Sequence, residues 1–217
     1  MKLYTAKTPK LVKWLFPSLV WEFSVSKKQL FLTFDDGPIP EVTPWVLEQL
    51  ATYDAKATFF CIGDNIVKHP KIFKQLIANG HAVGNHTQHH TNGWNTSKEK
   101  YTADTLHAKK TIEDNLDHIA EATPLLFRPP YGKITPQLSK RLQKLGYKII
   151  MWDVLSGDFD TSLSPEKCLK NVLENAEAGS IIVFHDSLKA FKKLKYTLPK
   201  VLKHFHELDY TFERITF

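Results

Sequence analysis

From residue 29 onward, short apolar runs alternate with longer amphipathic stretches. The runs at residues 30–34, 57–62, 82–84, 125–127, 148–154, 180–184 and 211–215 read as buried strands. Helical periodicity fills the intervals. Thr43-Pro44 opens a helix ending near Tyr53, and a second covers residues 70–78 and stops at Asn79-Gly80. Ser97 is placed to cap a long helix over residues 97–120. Thr135-Pro136 starts one that ends at Gly146, and Ser164-Pro165-Glu166 starts one ending near Gly179. The last covers residues 188–208. These starts and stops have a physical basis. Proline lacks only an N–H that the first turn leaves unbonded, and glycine tolerates left-handed backbone.

Such alternation predicts parallel strands joined by helical crossovers. An open doubly wound sheet and a closed barrel both satisfy it. The polar motifs favour the barrel, because each falls just after a strand, where a β/α barrel gathers its functional residues. The expected fold is α/β: a distorted, single-domain (β/α) barrel of about seven parallel strands over residues 30–217.

Residues 1–29 are expected to pack on this domain. Trp14 to Trp21 is apolar and follows Lys2, Lys7, Lys10 and Lys13. Pro17 and Ser18 interrupt the run, Glu22 ends it and no small-x-small cleavage pattern follows, so it does not read as a signal peptide. It is too short to span a bilayer. A basic-aromatic anchor at a membrane surface is the alternative to packing. Without a clear export signal the default expectation is a cytoplasmic protein.

Bulk composition changes this picture little. Hydrophobic residues make up 42% and charged residues 24%, as in a soluble globular domain. A net charge of +6 permits attraction to anionic polymers. The basic residues are scattered apart from pairs such as Lys109-Lys110 and Lys192-Lys193, which read as solvated helix faces. No nucleic-acid motif is present, so no nucleic-acid partner is expected. Cys61 falls in a strand and Cys168 in a helix, and neither has metal-ligand or disulfide-framework spacing.

The chemistry concentrates at the strand ends. Thr33-Phe34-Asp35-Asp36-Gly37-Pro38 puts two adjacent carboxylates before a Gly-Pro turn. Asp, Gly and Pro also form ordinary turns, so this motif alone is ambiguous. Downstream stands His86-Thr87-Gln88-His89-His90. One carboxylate with two histidines suits a divalent metal, and the spare carboxylate is then free to act as a base on bound water. Helical spacing pairs His86 with either His89 or His90. Arg128-Pro129-Pro130-Tyr131-Gly132, Asp153 to Phe159 and Val183-Phe184-His185-Asp186 follow three further strands. Trp94 is placed either to stack on a sugar or to cover the core.

Together these motifs resemble the polysaccharide deacetylases of carbohydrate esterase family 4, the NodB homology domain. The resemblance covers roughly residues 30–215, with the motifs in family order. It implies a metal-dependent hydrolase that removes N-acetyl groups from amino sugars of a glycan and releases acetate. Chitin-, peptidoglycan- and poly-N-acetylglucosamine-like chains are all candidate substrates, and these imply an envelope location. By the same resemblance, Asp36, His86 and His90 hold the metal and Asp35 is the general base. Arg128 positions Asp35. Asp158 orients His185, the general acid, with Asp153 in the same polar cluster. The Tyr131 N–H helps to hold the oxyanion. Phe159 and Val183 replace the family's usual Trp and Leu and keep an apolar wall for the acetyl methyl. Zn is the first choice for two histidines and a carboxylate with an open position. Co, Ni or Fe fit the same ligands.

Two rival classes are a glycan-binding module with a vestigial site and a non-haem iron oxygenase. The first would require a blocked pocket, since every catalytic position is filled. The second gives no reason for Asp35, Arg128 or the Asp158–His185 pair.

Overall fold

The computed structural model describes residues 5–116 and 125–217. Its strands are β1 Gln29–Asp35, β2 Ala57–Cys61, β3 Ala82–Asn85, β4 Leu125–Phe127, β5 Tyr147–Ile149, β6 Val154–Leu155, β7 Ile181–His185 and β8 Thr211–Phe212. Its helices are α1 Lys10–Leu15, α2 Val42–Ala51, α3 Gly63–Lys68, α4 Pro70–Ala78, α5 Lys98–Asp114, α6 Pro136–Lys144, α7 Pro165–Leu173 and α8 Leu188–Glu207. Ser97, Thr135 and Ser164 each accept a hydrogen bond from the backbone N–H three residues on, at 3.4, 3.3 and 3.2 Å, and so cap α5, α6 and α7.

Seven parallel strands run in the order β5-β4-β3-β2-β1-β7-β6, and β8 pairs in parallel with the start of β1. Laid flat, such a sheet would be about 29 Å across. Yet its two edges, β5 and β6, are joined by residues 150–153 alone. That link spans at most about 17 Å. The sheet therefore curls into a distorted barrel, and the N-terminal segment fills the seam. Val20 N–H donates to Ile149 O (2.9 Å) and Met151 N–H donates to Val20 O (2.7 Å) on the β5 side. On the β6 side Thr8 N–H donates to Asp153 O (2.8 Å) and Leu155 N–H to Ala6 O (2.8 Å).

Several elements differ from the sequence expectation. The apolar run over residues 148–154 is two strands at opposite sheet edges. Its middle bonds partly to the N-terminal segment, through Met151 N–H and Asp153 O, and partly across to the strands on either side, with Ile150 N–H donating to Phe127 O of β4 and Asp153 N–H to Ile181 O of β7, so hydrophobicity alone could not reveal the break. The helix after Ser164 ends at Leu173, because residues 174–179 turn back to place Glu177 and the Asn175 carbonyl against Lys7. The short helices α1 and α3 were not expected. The expected end of the long helix at residue 120 lies outside the described residues. Lys193, read as part of a solvated pair, is buried and donates to Asp158 O at 3.2 Å.

Strand alternation sorts the side chains. Leu30, Leu32 and Phe34 of β1 join Phe59, Ile182 and Phe184 in the layer under the helices, with Leu194, Leu198 and Val201 of α8. The other face of β1 carries Phe31, Thr33 and Asp35 into the barrel, and β7 does the same with Ile181, Val183 and His185. Phe31, Phe60, Leu126, Ile150 and Ile181 form an apolar plug at the lower end of the barrel. The polar groups are left at the C-terminal rim.

Candidate active site

Arg128 lies at the centre of the rim and is fully buried. Its guanidinium donates to Asp35 Oδ1 (2.7 Å), Thr33 Oγ1 (2.7 Å), Ile150 O (3.2 Å) and Met151 O (2.8 Å), and stacks 4.2 Å from the Phe60 ring. A buried cation is tolerable only when its donors are met, and here they are. Asp35 and Thr33 reach the same guanidinium because they are two residues apart on one strand face. Burial opposes ionisation of Asp35. Arg128, with His86 and His185 behind it, more than offsets this and holds the Asp35 carboxyl below its ordinary range.

Asp36 lies just past the end of β1 with φ 87°, which turns its side chain away from that of Asp35. Asn65 donates to its backbone carbonyl at 2.7 Å. The next residue, Gly37, has no room for a side chain: a Cβ would come within 1.9 Å of Asp186 Oδ2. Asp186 accepts from Gly37 N–H (2.9 Å) and from the Thr43 hydroxyl (2.6 Å), and so fixes this turn. Burial pushes the Asp186 carboxyl up to about 8. The motif Val183-Phe184-His185-Asp186 contains Asp186 but assigns it no role. A carboxylate directly after a rim histidine was the available signal.

The His86–His90 segment is a loop, not a helical turn. Thr87 (φ 63°) and His90 (φ 56°) are left-handed, and Thr91 N–H donates to Thr87 Oγ1 at 2.9 Å. His86 Nδ1–H donates to Arg128 O at 2.7 Å, which leaves the Nε2 lone pair facing Asp36. The Nε2 atoms of His86 and His90 lie 3.9 and 3.3 Å from Asp36 Oδ1. One donor atom from each of Asp36, His86 and His90 falls within a 4.8 Å cluster. Burial lowers the pKa of His86 to about 4 and also lowers that of His90, so both rings are neutral donors. This donor set fits a divalent cation. His89 is turned outward and pairs with Asp104, whose other oxygen accepts from the Thr91 hydroxyl at 2.7 Å.

His185 stands beside Asp35. Its Nδ1–H donates to Asp158 Oδ1 (2.7 Å) and its backbone N–H donates to Asp158 Oδ2 (2.8 Å). Burial disfavours the imidazolium, but Asp158 outweighs it and raises the His185 pKa to about 9. Phe159 packs 5.1 Å from the His185 ring. Val183 lies two residues below His185 on the same inward face. Tyr131 is left-handed (φ 61°), with its ring 4.5 Å from His90.

Asp153 is not in this cluster. It accepts from Lys7 (2.7 Å), Lys13 (2.6 Å) and Ser180 (2.5 Å), and its backbone N–H bonds Ile181 O at the start of β7. His185 ends the same strand, about 13 Å further along. The two acids share one sequence motif, but the chain passes from one end of the barrel to the other between them.

Comparison with known proteins gives a consistent picture. The family model described as polysaccharide deacetylase matches residues 24–150. A peptidoglycan-N-acetylglucosamine deacetylase of Bacillus cereus is 35% identical over 199 residues, covering 91% of each chain. A chitooligosaccharide deacetylase of Azorhizobium caulinodans is 36% identical over 162 residues, 74% of this chain and 75% of its own. The crystal structure of the Bc1960 peptidoglycan N-acetylglucosamine deacetylase superposes with a TM-score of 0.85 at 28% identity, covering 96% of this chain and 95% of that one.

Proposed function

The chain belongs to the polysaccharide deacetylase family, and from that premise we propose that it hydrolyses N-acetyl groups on the amino sugars of a glycan, with a divalent metal held by Asp36, His86 and His90. A cation at that triad supplies Lewis-acid polarisation and lowers the pKa of water. Among the metals that suit two histidines and a carboxylate, Zn is favoured.

The remaining chemistry belongs to the chain's own residues. Asp35, held ionised by Arg128, takes a proton from the attacking water. His185, held protonated by Asp158, donates a proton to the amide nitrogen as it leaves. The Tyr131 N–H is assigned to the developing oxyanion, and Val183 and Phe159 to the wall against the acetyl methyl. The observation that carries this reading is the pairing of a carboxylate biased toward ionisation and an imidazole biased toward protonation on neighbouring strands. An oxygenase has no use for such a pair.

The test is acetate release from N-acetylglucosamine oligomers and from peptidoglycan fragments. Turnover abolished by a chelator and restored by Zn or Co is expected. No acetate from any of these glycans, with metal bound, would point to the vestigial-site alternative.

A further inference from the structure

Helix α1 buries none of its residues. Leu11, Trp14 and Leu15, at helical spacing on one face, are 64, 74 and 54% exposed, and Phe16 just beyond them is 44% exposed. Four large apolar side chains thus meet water within six consecutive residues, whereas ordinary surface apolar residues are scattered singly. We infer that this tip is a docking surface for an anionic lipid bilayer, seated in the headgroup layer of one leaflet.

Backbone anchoring imposes the exposure. Before the helix, Leu155 N–H donates to Ala6 O and Thr8 N–H to Asp153 O. After it, the N–H groups of Val20 and Phe23 donate to Ile149 O and Gly179 O. The turn leaving the helix is tied as well. Leu19 N–H and the Trp21 indole N–H both donate to Phe16 O at 3.1 Å, and the Gln143 amide donates to Ser18 O at 2.7 Å. The tip cannot fold inward without breaking these bonds. A tip already held in place loses little conformational freedom when it enters an interface. An indole suits that boundary, because its apolar body meets the acyl chains while its N–H meets the headgroups.

Charge identifies the occupant. No Asp or Glu occurs between Thr5 and Trp21. Lys7 and Lys13 are neutralised by Asp153, Glu177 and Glu22. Lys10, four residues before Trp14 on the same face, is exposed and has no acidic partner among the described residues. Exposed Lys140 and Lys144 of α6 lie alongside. Lys140 borders one cavity with Val12 and Phe16, and Gln143, next to Lys144, is the residue that reaches Ser18. An apolar tip rimmed by lysines matches a surface of anionic headgroups. A second copy of the chain would instead bring like charges together. No described helix is long and apolar enough to cross a membrane, so the contact is with one leaflet's surface. Gly132 borders the same cavity as Phe16, and the docked tip therefore holds the candidate active site beside the bilayer.

The test is flotation of the full chain with vesicles of phosphatidylcholine, alone or mixed with phosphatidylglycerol. The wild-type protein should bind the mixed vesicles at least about tenfold more tightly than the neutral ones, and high salt should remove that preference. Trp14→Ala combined with Leu15→Ala should weaken binding to the mixed vesicles about tenfold or more. Lys10→Gln combined with Lys140→Gln should reduce the anionic preference. Val67→Ala, which trims an exposed apolar residue on α3, should change neither. The substituted tip residues are exposed, so an unchanged melting temperature separates lost docking from lost folding. Indole emission should shift to the blue when mixed vesicles are added, and Trp14→Phe should lose much of that shift. Failure to bind either vesicle overturns the inference, as does binding that survives loss of Trp14 and Leu15. An oligomer in analytical ultracentrifugation that the same double variant dissolves, with vesicles unbound, also overturns it and makes the tip a face between copies.

Discussion

Asp35 and His185 are register partners on adjacent parallel strands. Each ends its strand facing the barrel interior, and each is gripped from behind by a buried group of opposite charge. Arg128 holds the carboxylate and Asp158 holds the imidazole. Sheet geometry therefore sets the base and the acid one strand spacing apart, about 4.8 Å between backbones. The strands set where each side chain starts, and Arg128, just past β4, and Asp158, in the turn after β6, fix its orientation.

This pairing predicts the pH profile. Activity should need Asp35 ionised and His185 protonated. The plateau in kcat/KM should extend below the usual carboxylate range at the acid side and fall near pH 9 at the alkaline side. Asp158→Asn removes the charge that favours the imidazolium, so the alkaline limb should move to lower pH with metal content unchanged. The same shift bears on stability. Because the folded pKa of His185 lies above its ordinary 6.5, this contribution is complete below about pH 6.5 and is lost as pH rises through about 9. An alkaline limb that stays put in Asp158→Asn would remove His185 from the acid role.

The adjacent acids should separate cleanly. Asp35→Asn keeps a hydrogen-bond acceptor for Arg128 but has no carboxylate to take a proton, so it should retain metal and lose at least about a hundredfold in kcat. Asp36→Asn and His86→Ala should lose metal first, by elemental analysis and by the metal concentration needed for activity. Metal loss in Asp35→Asn with retention in Asp36→Asn would exchange the two roles.

Much of this site was legible because strand periodicity and motif order act together. Once β1 is a strand, Thr33 and Asp35 must share a face, and the residue after the strand is free to turn away. The ligand triad, Arg128 and the Asp158–His185 pair are assigned by the family resemblance, periodicity alone leaving His89 and His90 open, and the structure brings Asp36, His86 and His90 together and pairs Arg128 with Asp35 and Asp158 with His185. Asp153, assigned by the same resemblance, is not brought to them. It lies five residues before Asp158 in one motif, and only the bonds of Asp153 to Ile181 and of Asp158 to His185, at the two ends of β7, show that the two acids sit at opposite ends of the barrel. Lys193 was missed for a related reason. Its neighbours are cationic and helical, and nothing local signals that one of the pair points inward at Asp158. The loop at Thr87 and His90 carries no glycine, so its left-handed turns left no mark in the sequence.

Asp186 should act on the turn that presents Asp36. Its carboxyl is pushed up to about 8, so the protonated form prevails at neutral pH. Asp186→Asn preserves an acceptor for Gly37 N–H and a group able to bond Thr43. Thermal stability and metal affinity should stay near wild type. Asp186→Ala leaves both partners buried without their bonds, which should cost about 2–4 kcal/mol and weaken metal binding. Differential scanning calorimetry with metal titration checks both outcomes. Equal behaviour of the two variants would show that this turn does not depend on the Asp186 hydrogen bonds.

Asp153 should matter for the seam and not for proton transfer. Burial disfavours its charge, but Lys13, Lys7 and Ser180 more than offset this and hold the carboxyl below its ordinary range. Its contribution is therefore present above the ordinary carboxyl pKa and is lost as pH falls. Lys7 and Lys13 are partly exposed, so Asp153→Ala should cost less than a fully buried pair, about 2–3 kcal/mol. The functional effect should arise at a distance. The carbonyls of Ile150 and Met151 receive the Arg128 guanidinium, and Met151 N–H is bonded to Val20 of the N-terminal segment. Loosening that segment should shift Arg128 and lower kcat by a modest factor. The pH profile should keep its limbs, because neither Asp35 nor His185 loses its own partner. A displaced limb in Asp153→Ala, at unchanged thermal stability, would return Asp153 to the catalytic cluster.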